Sequence, residues 1–299
     1  MTLKTSTDHI ETLDVAEPPS SRRSTGAPCY IAGTGTLLVS FSGGLTSAYM
    51  TWKLKRASRN KLVVVFANTG QENEKTLMFV DKVDKVFDLG VVWVEADVKP
   101  KGIGTKHRIV DFETASRNGE PFEAVMAQYG ISNKAYPHCT RELKQAPIHS
   151  YMKSLGVEYQ TAIGIRADEY RRVGKKARIV YPLADYWIVD KEEVNEFWSR
   201  QPFSLGLEEH QGNCKWCWKK SLKKHFMLIA ETPEIFDFPR KMEAFYGKVR
   251  CPEGRRVFFR ENRSTDDLFA LKEAGAGRLL NAFDVDAGCS ESCEMYEAI

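Results

Sequence analysis

The sequence predicts an α/β protein: a doubly wound, mostly parallel sheet followed by a helical region that carries most of the cysteines. Three observations support this. Short apolar runs rich in Val, Leu and Phe alternate with helical periodicity between residues 36 and 96. Glycine-bearing turns break these runs at their ends. Strand signals become rare after Pro182, whereas helical spacing continues.

The elements follow in order. Residues 36–42 read as a buried strand, ended by Gly43-Gly44. Residues 46–59 read as a helix with Ala48, Tyr49, Trp52 and Leu54 near one face. Residues 61–67 form a second apolar run of the parallel-sheet kind, closed by Asn68-Thr-Gly70. A helix over 74–87 carries the stripe Leu77, Phe79, Val80, Val83 and Val86. Residues 91–96 are a third strand, and this β-α-β-α-β order implies parallel strands with right-handed crossovers. Residues 159–165 read as a fourth core strand and 179–183 as a short fifth. Beyond them, helices are expected over 191–199, 222–230 and 233–246, with one strand over 256–259. The expected organisation is a loosely held polar arm over 1–35, a nucleotide-binding α/β domain over 36–185, and a basic, cysteine-bearing helical region over 186–299.

Composition excludes several classes. With 42% hydrophobic and 28% charged residues in 299, the chain can bury a core of one or two domains. A net charge of +3 means that any nucleic-acid surface must be a local patch. No apolar run approaches the roughly 18 residues of a membrane span. The first residues lack a secretory core segment, so a cytoplasmic protein is expected. Basic residues cluster over 171–178, after the cysteine pair (Lys215, Lys219, Lys220, Lys223, Lys224) and over 240–263, while the tail after Arg278 holds only acids. Solvated faces and a surface for DNA or RNA are the two readings of these runs.

Ser42-Gly-Gly-Leu-Thr-Ser47 lies where a strand should meet a helix. Glycines admit an anion close to the backbone, and a helix start supplies N–H groups and a positive dipole end. Ser40, Ser42, Thr46 and Ser47 add hydroxyls, so Gly43 and Gly44 with these residues form a candidate phosphate site. A plain strand-turn-helix connection is the simpler reading. Neither GxxxxGK[ST] nor GxGxxG is present. The end of the second strand, Asn68-Thr-Gly-Gln-Glu72, would lie beside this loop at the carboxyl edge of the sheet.

Residues 39–50 resemble the pyrophosphate (PP) loop of the adenine-nucleotide α-hydrolase superfamily, a HUP-type fold. With Phe66-Ala-Asn-Thr-Gly70, the segment 112–122, Cys139-Thr-Arg-Glu-Leu-Lys144, Ile163-Gly-Ile-Arg-Ala-Asp-Glu169 and Gly212-Asn-Cys-Lys-Trp-Cys217, the chain resembles the phosphoadenosine phosphosulfate reductase family, in its phage and mobile-element branch. The resemblance implies phosphates at Ser42–Ser47 and adenine and ribose near Asn68, Thr69, Gly70 and Glu72. It implies charge stabilisation by Arg141, Lys144 and Arg166, with Mg²⁺ on the phosphates. Asp168 is a candidate Mg²⁺ ligand or general base, and an ion pair with Arg171 or Arg172 is the alternative. Two departures stand out. Thr46 and Leu45 occupy positions where ATP-cleaving relatives carry Asp and Lys. The Glu-Cys-Gly-(aliphatic)-His tail of the reductases is replaced by Gly288-Cys-Ser-Glu-Ser-Cys293.

Cys214-x-x-Cys217 has the spacing of a pair of metal-gripping thiolates. Cys139 upstream and Cys289 or Cys293 downstream complete a four-thiolate set, as in iron–sulfur relatives of the superfamily. A [4Fe–4S] cluster, a structural zinc and an unligated or redox dithiol are the competing readings. Trp216 and Trp218 read as shields for such a centre, with stacking on bases as the alternative. Cys29 reads as incidental and Cys251 as ambiguous, His138 reads either as ordering Cys139 or as a surface histidine, and His107 and His210 read as structural or solvent-facing. The expected function is cleavage of ATP or a related adenine nucleotide to AMP and pyrophosphate, with a nucleic acid as candidate acceptor. A sulfonucleotide reductase and a non-catalytic nucleotide-binding module are the alternatives.

Overall fold

The computed structural model describes residues 35–100, 102–174, 177–251 and 253–275. The expected arm, Cys29, Lys175, Lys176, Cys289, Cys293 and the acidic tail therefore lie outside the described residues.

Six strands form one sheet in the order β4-β3-β2-β1-β5-β6. They are β1 (Thr36–Ser40), β2 (Lys61–Asn68), β3 (Val92–Val98), β4 (Thr105–Val110), β5 (Tyr159–Ala162) and β6 (Ile179–Val180). All neighbours pair in parallel except β3 and β4. Helices α1 (Leu45–Ala57) and α2 (Glu74–Phe87) make the two crossovers on one side of β1. The chain then returns to the other side of β1, so the strand order reverses between β1 and β5. Such a switch point opens a crevice at the carboxyl ends of its strands.

Successive residues of a strand face opposite sides of a sheet. Leu37 and Val39 accordingly join one core with Tyr49, Trp52, Val80, Phe197 and Trp198. Leu38 joins another with Val65, Val94, Ile148 and Met152. Ile148 and Met152 come from α5 (Ala146–Leu155). Helix α6 (Lys191–Ser199) belongs to the first core. Its Glu193 accepts from Tyr49 Oη at 2.6 Å and Lys53 Nζ at 3.1 Å, and Trp198 Nε1 donates to the Leu45 carbonyl at 3.0 Å. A third, aromatic core gathers Phe122 of α3 (Glu120–Tyr129) with Trp216, Trp218, Phe258 and Phe259. Phe226 of α7 (Leu222–Glu231), Met242 of α8 (Asp237–Tyr246) and Leu268 of α9 (Thr265–Glu273) complete it.

Several expectations are corrected. No strand forms over 256–259. Val257, Phe258 and Phe259 are buried, but the Phe258 N–H goes to the Glu243 carboxylate at 3.0 Å rather than to a ladder. Phe259 makes an isolated bridge to Arg263. The last two parallel strands are shorter than expected, because Gly164 and Pro182 follow them closely. Among the described residues no helix is long and apolar enough to cross a membrane.

Candidate nucleotide and cysteine site

The loop after β1 is shaped by sterics. Gly43 has φ +79°, and a Cβ there would lie 2.8 Å from Thr76 Cγ2, so only glycine fits. Gly44 caps α1 without a side-chain bond, and no acidic residue stands in the first turn. The positive end of α1 thus carries no competing anion of its own. Ser42 Oγ donates to Ser47 Oγ at 3.0 Å, and Ser47 Oγ to the Gly44 carbonyl at 3.0 Å, which pins the loop. Gly164, after β5, lies against Ser47, where an added Cβ would be 3.2 Å from its Cα.

Arg166 crosses the switch point. Its Nη1 donates to Thr46 Oγ1 at 3.1 Å, and its Nε and Nη2 grip both oxygens of Asp168 at 2.9 Å. Partial burial works to raise the Asp168 pKa, but the hydrogen bond and charge of Arg166 outweigh it and hold the carboxyl low. Asp168 is therefore an ionised partner that orients Arg166. The expected ion pair with Arg171 or Arg172 is corrected: Asp168 pairs with Arg166, which lies two residues before it. Glu169 pairs with Arg172 at 2.6 Å and Arg166 at 3.3 Å.

The end of β2 is a dense polar knot. Thr69 N and Oγ1 donate to the two oxygens of Glu72 at 2.9 and 2.8 Å. Asn68 Nδ2 donates to Glu95 at 2.7 Å and to the Ser116 carbonyl at 2.8 Å. Glu95 is fully buried and also accepts from Ser116 N at 2.6 Å and Arg108 at 2.5 Å. Glu95, Ser116 and Gln71 are site-building residues that the sequence reading missed. A carboxylate inside the apolar run of β3 was the available signal.

Gln71 leads to the cysteines. Its carbonyl accepts from Lys215 N at 2.9 Å and its Oε1 from Trp216 Nε1 at 2.7 Å. Glu72 and Cys214 form an isolated antiparallel bridge. One small cavity is lined by Cys139, Cys214 and Cys217 together with Thr69, Lys144, Phe122, Trp216 and Trp218. Thr69 Oγ1 lies 3.5 Å from Cys214 Sγ, and Trp218 Nε1 donates to Cys139 Sγ at 3.4 Å. All three cysteines are buried. Three thiols on one mostly apolar cavity suit a thiolate-bound centre in donor chemistry. Yet among the described residues no three His, Cys, Asp or Glu side chains form a group that could hold a metal ion. Binding would require the side chains to close in.

The remaining candidates separate. Arg141 is half-exposed, paired with Glu142 at 2.6 Å and near His138 at 3.2 Å, in a π-helical turn over Arg141–Gln145. Burial, reinforced by nearby arginines, pushes the His138 pKa down to about 4. Lys219 and Lys220 do not lie on a solvated face: they are 3% and 1% exposed, and Lys220 Nζ donates to the Gly212 carbonyl. His210 pairs with Glu231 at 2.7 Å and His107 with Ser150 at 2.8 Å.

Comparison with known proteins agrees with this geometry. Residues 36–181 match the phosphoadenosine phosphosulfate reductase domain. That span holds the loop, the β2 end, Cys139 and Arg166. The chain is also 32% identical, over 279 residues, to the uncharacterized nin region protein ORF290 of Escherichia phage lambda, covering 87% of this chain and 94% of that protein. The chain therefore belongs to the phosphoadenosine phosphosulfate reductase family, in its phage branch.

Proposed function

We propose that this protein binds ATP or a related adenine nucleotide and cleaves it at the α-phosphate, and that the activated acceptor meets sulfur chemistry at the cysteine cavity. The observation that carries this reading is the position of Thr69. It directly follows β2, the strand paired with β1, whose end carries the phosphate loop, and it also lines the thiol cavity.

An acceptor oxygen attacks the α-phosphorus, the α–β bridging bond breaks, and pyrophosphate leaves. The acceptor, now bearing AMP, is open to displacement by a sulfur nucleophile such as hydrosulfide, with AMP as leaving group. The loop N–H groups, the Thr46 and Ser47 hydroxyls and Arg166 bind the phosphates and hold them in line. Lys144 lines the cavity beside the thiols and supplies a cation there. Asp168 keeps Arg166 aimed at the loop. Asn68, Gly70 and Glu72 form the adenine and ribose side. Mg²⁺, when bound with the phosphates, supplies charge neutralisation.

Cys139, Cys214 and Cys217 would hold an iron–sulfur cluster, with Cys289 or Cys293 as fourth ligand. Such a centre supplies redox-active, sulfide-bridged iron. Zinc uses the same donors and would leave all chemistry to the loop.

The test begins with purification under nitrogen, a visible spectrum, and iron, sulfide and zinc analysis. About four irons per chain support the cluster. One zinc and no colour reject it. Release of pyrophosphate from ATP supports the loop chemistry, and its absence with every acceptor class tried rejects cleavage.

A further inference from the structure

A basic and aromatic surface stands beside the cysteine cavity and has no part in the chemistry above. It is assembled from α3, the turn holding His138, and the loop before Phe258. Arg256 lies 3.8 Å from the ring centre of Tyr136. Arg250 and Arg141 lie 5.1 and 5.8 Å from that of Tyr129. His138 bridges the tyrosines, 6.0 Å from Tyr136 at 21° and 5.7 Å from Tyr129 at 32°. Tyr136 is 44% exposed.

The arrangement is held from behind. Arg256 donates to the Arg250 carbonyl at 2.5 Å and the Tyr129 carbonyl at 3.4 Å. Asn133 Nδ2 donates to the Val257 carbonyl at 3.0 Å. Gly130 lets the two loops touch, since a Cβ there would lie 2.5 Å from the Val249 carbonyl oxygen. Among the described residues Arg141 pairs with Glu142, while neither Arg250 nor Arg256 pairs with a carboxylate. His138 Nε2 is buried without a hydrogen-bond partner. His138 directly precedes Cys139, so the surface adjoins the cavity wall.

We propose that this arginine–tyrosine surface holds single-stranded nucleic acid, with phosphates on Arg141, Arg250 and Arg256 and bases stacked against the guanidinium and ring planes. Guanidiniums laid on rings are pre-set both for phosphate and for stacking. A duplex hides the base faces this surface would take, whereas a single strand offers them. Three guanidiniums gather on the two tyrosine rings, and the one carboxylate paired with any of them is Glu142, on Arg141, so the surface is positive on balance. The inference names the acceptor class for the reading above, but binding here needs neither ATP nor metal.

The test is fluorescence anisotropy of a labelled mixed-sequence oligonucleotide, as RNA and as DNA, with the full chain and no ATP. Three phosphate contacts predict that log K falls with log salt with a slope of about −2. Arg250→Gln with Arg256→Gln should weaken binding at least about tenfold and flatten that slope. Tyr136→Leu should weaken binding while leaving the slope unchanged, because it removes stacking rather than charge. ATP binding and the far-ultraviolet spectrum, read in parallel, show that each variant is folded. The proposal is overturned if neither oligonucleotide binds at low salt, if the arginine pair has no effect, or if duplex binds as well as single strand. Equal competition by polyglutamate would also overturn it, by assigning the surface to an acidic peptide. Tight oligonucleotide binding without pyrophosphate release would sustain this inference and remove the ATP-cleavage reading.

Discussion

The phosphate loop and the cysteine cavity are built in opposite ways. The loop is a backbone device. Gly43 and Gly164 place peptide groups where side chains would crowd their neighbours, and few side-chain bonds are needed. The cavity is a side-chain device. Its thiols are set by Trp216, Trp218 and Phe122 from segments far apart in sequence. A backbone device is local and survives changes in the other lobe. A side-chain device depends on the packing of the whole aromatic core.

The sharpest way to separate the two is Cys214→Ala. It should abolish retention of the metal centre while ATP still binds, since the phosphate loop and Arg166 keep their own contacts. Equal metal content in the variant would remove Cys214 from the ligand set. Next comes Arg166→Ala. Loss of a charged donor to phosphate is worth about 1.5–3 kcal/mol, so nucleotide binding should weaken about ten- to a hundredfold with metal content unchanged. Calorimetric titration with ATP measures it, and an unaltered Kd would detach Arg166 from the site.

Gly119→Ala probes the joint between the β2 end and the aromatic core. Its new Cβ would lie 2.4 Å from Phe238 and 2.7 Å from Gln71 Nε2, at a φ of +88°. Overpacking of this kind costs about 1–3 kcal/mol. Thermal unfolding should begin several degrees lower, and an unchanged melting curve would mean that the joint yields freely.

The aromatic lobe should also be the acid-sensitive one. Burial holds the His225 pKa at about 4, against an ordinary 6.5, and its bond to the Cys217 carbonyl only partly opposes this. The fold keeps His225 neutral while the unfolded chain takes up a proton below 6.5. Its contribution is therefore complete above pH 6.5 and is lost as pH falls toward 4. Urea midpoints across that range should fall, and the fall should be shallower in His225→Gln. An identical slope would contradict the assignment. The smallest effect is expected for Arg178→Ala, in the turn just before the edge strand β6. Its pair with Glu158 at 2.6 Å is 68% and 85% exposed, so the change should cost under about 1 kcal/mol.

The same contrast governs what could be read in advance. β1, β2 and β3 announce themselves because strands buried on both faces need unbroken apolar runs. The edge strand β4, Thr-Lys-His-Arg-Ile-Val, is half solvated and carries no such signal. Helix α3 is opened by Gly119 and Pro121, which read as a loop. Phe258 and Phe259 look like a strand but fill a gap between helices, because burial alone does not choose a backbone shape. The loop, the β2 end and the CxxC pair were legible because each is contiguous. Glu95, Ser116 and Gln71 were not, because their role exists only after strands and loops converge. The lysines after Cys217 misled for the same reason. Charge predicts a solvated face unless a carbonyl and a ring are waiting inside.

Those lysines also give the cysteine lobe a built-in clock. Lys220 Nζ is enclosed on the Gly212 carbonyl and Lys219 Nζ lies 5.5 Å over the Trp218 ring, both sealed from solvent. An amine-acylating reagent would mark the surface lysines at once and these two only when the lobe opens. Peptide mapping of adducts at 219 and 220 over time would then record the opening rate of the lobe, independently of nucleotide, metal or any assay of catalysis.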